Sequence, residues 1–93
     1  MAQVRLIAST RPTSHMGFMA HIETHPVQLG VEAGLGNYFY YRVRNHSLVS
    51  FTITYSDGSR LSHTGYVEET DDKIIVGHLS KTESHNYTMT FAK

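Results

Sequence analysis

Residues 48–61 read LVSFTITYSDGSRL, and this stretch decides the fold. Val49, Phe51, Ile53 and Tyr55 alternate with Ser50, Thr52 and Thr54. A period of two sets apolar side chains on one face and hydroxyls on the other, as in a half-buried strand. β-branched and aromatic residues suit a pleated surface. Asp57-Gly58 then supplies the positive-φ positions of a tight hairpin. Two registers compete. A two-residue loop at Asp57-Gly58 pairs Tyr55 with Arg60 and sets Leu61, His63 and Val67 opposite Thr52 and Thr54. A three-residue loop, Ser56-Asp57-Gly58 with Gly58 left-handed, pairs Tyr55 with Ser59. Leu61, His63, Gly65 and Val67 then share the face of Phe51 and Ile53. The second keeps the apolar residues together and is preferred.

Working outward, the same alternation recurs. Residues 3–8 form a first strand with Val4, Leu6 and Ala8 inward. Residues 17–24 form a second, with Phe18, Ala20 and Ile22 on one face, and His25-Pro26 is expected to break it. Short strands are expected at residues 27–31 and 38–44, and further ones at 60–68, 73–79 and 85–92. The last carries Tyr87, Met89 and Phe91 on one side. The glycines of residues 30–36 match no phosphate-binding loop. A turn around Thr70-Asp71 would pair Val67 with Ile74, Gly65 with Val76 and His63 with His78. No amphipathic helix is visible. The pattern predicts one all-β domain over residues 1–93: a small antiparallel β-sandwich, or a partly open barrel, of six to eight short strands.

Composition narrows the function classes. Eight basic and eight acidic residues cancel, which argues against a nucleic-acid partner. No apolar run reaches the length of a transmembrane segment. There is no cysteine, so no disulfide framework and no thiolate chemistry. With no signal peptide in view, the chain is expected in the cytoplasm, or exported without one. A 93-residue core is thin, so pairing into a homodimer is a possibility the sequence raises.

Three constellations bear on chemistry. His63 and His78, placed opposite each other, would set their Cβ atoms about 5 Å apart, within reach of one metal ion. A third ligand is not in view, so no metal or other cofactor is assigned and the pair remains a minor alternative. His21 and His25 are about 13 Å apart on a strand, too far for a zinc motif, and Glu23 between them is expected to point away. Ser, His and Asp are present, but no nucleophile elbow exists and no nucleophile is locatable, so the chain is read as non-enzymatic. The acidic residues Glu68, Glu69, Asp71 and Asp72 read as a solvated turn.

The best binding candidate is the stripe Tyr38, Tyr40, Arg42 and Arg44, flanked by Asn37 and His46. Tyrosine rings stack on the C–H face of a sugar, and guanidinium forks bond hydroxyls or acidic groups. In its neutral, Tyr/Thr/Ser/His-rich, cysteine-free character the chain resembles the small β-sandwich lectins of mushroom fruiting bodies. The stretches VRNHS, FTITYSDG and NYTMTF are also similar in style to strands of small β-sandwich cytolysins. The first resemblance implies a lectin-like module that binds a glycan without catalysis. A protein-interaction or inhibitor domain using the same face is the alternative. Membrane association through Phe18 and Met19 is a lesser one.

Overall fold

The computed structural model describes residues 3–27, 46–80 and 82–93. Within them the chain is all-β. Six strands follow in order: β1 (Val4–Ser9), β2 (Met19–Pro26), β3 (Val49–Tyr55), β4 (Arg60–Glu69), β5 (Lys73–His78) and β6 (Tyr87–Ala92). Each pairs antiparallel with the next, and β6 pairs back to β1, so the sheet closes into a barrel. A single 3-10 turn, Glu83–His85, precedes β6. The expected strands at residues 27–31 and 38–44 lie outside the described residues, apart from Val27.

Closure explains the burial. Strand alternation sends every second side chain into a six-stranded ring too narrow to hold anything else. Phe51, Phe91, Leu6, Ile22, Ile53 and Met89 fill it, each essentially inaccessible to solvent. Burying each of these large side chains is worth about 1.5–3 kcal/mol. A smaller cluster of Leu48, Leu79, Val27 and Tyr66 sits apart from that core.

The β3–β4 hairpin takes the three-residue loop. Tyr55 N–H donates to the Ser59 carbonyl at 2.9 Å, and Gly58 N–H donates to the Tyr55 carbonyl at 2.9 Å. Gly58 has φ of 90°, a backbone region costly for a residue with a Cβ. Phe51 therefore pairs with His63 and Ile53 with Leu61.

Three local expectations are corrected. The β4–β5 register is displaced by two: Gly65 pairs with His78, Val67 with Val76 and Glu69 with Ile74. The turn residues are Asp71-Asp72, closed by Thr70, whose N–H donates to the Lys73 carbonyl while its Oγ1 accepts from Lys73 N–H. Pro26 does not end β2; it pairs with Val49. Val27 N–H donates to the Leu48 carbonyl just before β3, and Ser56 N–H to the Met19 carbonyl of β2, so odd-numbered residues of β2 carry the ladder to β3. Pro26 is even-numbered, so its missing N–H removes no bond to that strand. Ala8 is exposed. An irregularity between Leu6 and Ala8 inserts one residue against β6, and Ser9 takes the position opposite Met89.

Two glycines make close packing possible. A Cβ on Gly65 would strike the Gly77 carbonyl oxygen, and one on Gly77 would strike the Tyr66 ring. Neither has positive φ, so the requirement is space alone.

Candidate functional site

The register brings four polar side chains to one end of the barrel. His63 comes from β4, His78 from the end of β5, Tyr87 from the start of β6, and Arg11 from the loop after β1. They line a cleft of about 510 Å³ that Ser80 and Asn86 help to wall. The surrounding backbone is fixed by local bonds. Ser9 Oγ donates to the Arg11 carbonyl at 2.7 Å and accepts from Arg11 N–H at 3.1 Å. Thr88 N–H donates to Thr10 Oγ1 at 2.8 Å. Asn86 Oδ1 accepts from Ser80 N–H at 2.8 Å, drawing in the loop before β6.

The imidazoles of His63 and His78 stack, ring centroids 4.1 Å apart and planes 27° from parallel. His78 Nδ1 lies 3.0 Å from the Thr64 carbonyl. A carbonyl only accepts, so Nδ1 carries the proton and neutral His78 leaves a lone pair on Nε2. His63 Nδ1 lies 2.7 Å from the Tyr87 hydroxyl. Burial pushes the Tyr87 hydroxyl up to about 12 against the opposing pull of Arg11, so the phenol keeps its proton and can donate it to His63. The Arg11 guanidinium stands 5.3 Å from the Tyr87 ring centroid, within cation–π range.

Both imidazoles are held below the ordinary histidine value. Burial is the main cause for each. The neighbouring His78 and then Arg11 add to it for His63. For His78 the bond to Thr64 opposes the shift, while Arg11 and His85 reinforce it. Near-parallel stacked rings keep their in-plane lone pairs in two separate layers, whereas a shared metal needs them to converge on one point. Among the described residues no group of three or more His, Cys, Asp or Glu is placed to hold a metal ion.

A second polar cluster joins residues far apart in sequence. His15 stacks on Tyr55 with centroids 4.0 Å apart and meets the edge of Phe18 at 5.1 Å. Its Nε2 lies 2.8 Å from Ser59 Oγ and 3.2 Å from Asp57 Oδ2. Asp57 Oδ1 takes the Ser59 hydroxyl at 2.6 Å. These are the residue types of a hydrolase triad in a different geometry. A triad carboxylate orients the ring through the nitrogen that does not face the serine. Here serine and carboxylate meet the same nitrogen, and Nδ1 faces Thr13 Oγ1 at 3.2 Å. The arrangement clamps the β1–β2 loop onto the β3–β4 turn. It also holds the Asp57 carboxyl below its ordinary range, chiefly through the Ser59 hydrogen bonds.

Of the residues singled out from sequence, Asn37, Tyr38, Tyr40, Arg42 and Arg44 lie outside the described residues. His46 is described: it stacks on Tyr66, centroids 4.3 Å apart and 14° from parallel. His63 and His78 do meet, by stacking along a diagonal rather than by direct opposition. Glu23 shares the outward face with His21, its Oε1 lying 3.5 Å from Nε2, because residues two apart on a strand point the same way. Phe18 packs against the core while Met19 is exposed. Sequence reasoning missed Arg11, which read as loop, and Tyr87, which read only as core. The one available signal was Tyr87 placed inward by alternation, where a buried hydroxyl needs a partner. No family model matches the chain, and no curated protein or solved structure matches it either.

Proposed function

We propose that the protein is a non-enzymatic carbohydrate-binding domain whose ligand enters the cleft around His63 and His78. One observation carries this reading: a guanidinium, three imidazoles, a carboxamide and several hydroxyls converge beside the Tyr87 ring in an open cleft of about 510 Å³. Saccharides present that mixture in reverse, with hydroxyls around the ring and C–H groups on its faces. The likeness in composition to small mushroom lectins points the same way. The expected stripe at Tyr38, Tyr40, Arg42 and Arg44 stays part of the proposal as a second contact surface. A homodimer belongs to it too, motivated by the thin core and decided by light scattering.

A glycan array probed with the wild-type chain and with the Arg11→Ala variant tests the reading. Binding by the wild type and its loss in the variant support it. Silence across the array at high protein concentration removes it.

A protein-interaction domain is the second reading, favoured by three exposed apolar residues. Ile7 on β1, Met19 on β2 and Met16 in the loop between them are 39%, 38% and 48% accessible. A stoichiometric protein partner that free sugars do not displace would replace the carbohydrate reading with this one.

A further inference from the structure

We propose that the saccharide at this cleft carries an anionic group, a carboxylate or a sulfate ester, whose charge seats against Arg11 and the Nε2 edge of His78. The inference rests on the carbohydrate reading of the same cleft and names the class of sugar.

The argument begins with the charges. The chain as a whole is neutral, but its charge is unevenly spread. Arg11, His63, His78 and His85 line the cleft, and among the described side chains no carboxylate does. Among the described side chains the charged groups acting on the two imidazoles are bases: Arg11 on both, His78 on His63, and His85 on His78. Two of the described acids sit elsewhere. Glu69 is at the far end of the β4–β5 hairpin and is paired with Lys93 at 2.6 Å. Asp57 is engaged by Ser59 and His15 on the β3–β4 turn. A cleft lined by one sign of charge concentrates ligands of the other sign.

The tautomers add direction. Because His78 Nδ1–H is committed to the Thr64 carbonyl, neutral His78 turns a lone pair outward at Nε2. That lone pair repels an anion. One proton converts it into a charged donor, and the ligand's own negative charge pays for placing that charge beside Arg11. Anion binding and protonation of His78 are therefore one linked event. His63 takes no part in this uptake while Tyr87 donates to its Nδ1, since its Nε2 then already carries hydrogen. The Arg11 guanidinium supplies the fixed positive charge at every pH.

The test is calorimetric titration of the full chain with three probes. These are an oligogalacturonate, its fully methyl-esterified neutral counterpart, and inorganic sulfate; a sulfated oligosaccharide and its desulfated form repeat the comparison. At pH 6 the acidic sugars are expected to bind at least tenfold more tightly than their neutral counterparts. That advantage should shrink by about tenfold per pH unit over the range where binding takes up one proton. Arg11→Gln and His78→Gln should each abolish the difference between acid and ester, with folding checked by circular dichroism. Equal affinity for acidic and neutral sugars overturns the inference and leaves the carbohydrate reading standing. Sulfate bound as tightly as the acidic sugars overturns the carbohydrate reading and the saccharide part of the inference together. No binding of any probe at pH 6 overturns the inference, while a positive array on other sugars would still preserve the broader reading.

Discussion

His63 stacks on His78 although the two are not cross-strand partners. Gly65 is the residue opposite His78, and it has no side chain to fill the space. His63, two positions back on the same face, meets His78 across the diagonal, with ring centroids 4.1 Å apart.

The stacked pair makes stability depend on pH, and the sign follows from the direction of the shifts. Both imidazoles titrate below 6.5 in the folded chain, so the unfolded chain takes up protons first as pH falls. Stability is full above about 6.5 and is lost as pH drops from there toward the folded values. Thermal melts at pH 7.5 and 5.5 should show a lower midpoint at 5.5. The double variant His63→Gln, His78→Gln should show a smaller difference, and an unchanged pH slope would refute this account.

Gly65→Ala and Gly77→Ala should differ in cost. The new methyl at 65 meets backbone, the Gly77 carbonyl, while that at 77 meets a ring able to swing away. Overpacking of this kind costs about 1–3 kcal/mol, with Gly65→Ala at or beyond the upper end and Gly77→Ala near the lower. Removing the ring with Tyr66→Ala should relieve Gly77→Ala and leave Gly65→Ala unchanged. Urea denaturation of the singles and doubles measures both couplings.

Gly58→Ala tests the turn without a steric complication. Nothing lies within 4 Å of a Cβ there, and φ is 90°. The cost should be about 1 kcal/mol, from backbone conformation alone. Gly58→Asn should cost less, because asparagine tolerates positive φ. A larger loss for asparagine in chemical denaturation would show that the turn is not what limits this position.

His15→Ala should release the loop between β1 and β2. It removes the stack on Tyr55 and the bonds to Ser59 and Asp57, worth about 1–2 kcal/mol together. Amide exchange in residues 10–18 should quicken while β4 and β5 stay protected. Ser59 should also resist a fluorophosphonate probe, since its hydroxyl proton goes to the weakly basic Asp57 carboxylate and not to an imidazole. Labelling at Ser59 would favour an enzyme over a binding domain.

Much of this fold was legible from local pattern. Phe51, Ile53 and Tyr55 announce the inward face of β3, and Gly58 selects the register that keeps Leu61 beside them. The β4–β5 register was not legible. Thr70, Asp71 and Asp72 are all acceptable turn residues, and the choice rests on Gly65 and Gly77 making room for a carbonyl and a ring. Pro26 misled for a related reason: its effect depends on which side of the strand its nitrogen faces. The cleft was half legible. His63 and His78 could be brought together from one hairpin, but Arg11 and Tyr87 reach it from opposite ends of the chain, and only closure of β6 onto β1 makes them neighbours.

The joint between β1 and β2 has a consequence for how the molecule comes apart. Direct pairing there is confined to Val4 with Ala20 and Arg5 with Met19, continued by Leu6 bonding Gly17 and Phe18. Between β2 and β3 it runs from Ala20–Tyr55 to Pro26–Val49. Strain or heat should unzip the cylinder at its shortest stave. The first excursion from the native state is then a flat five-ladder meander in which both imidazoles keep their hairpin, with Ala20 and Ile22 the first interior residues to meet water.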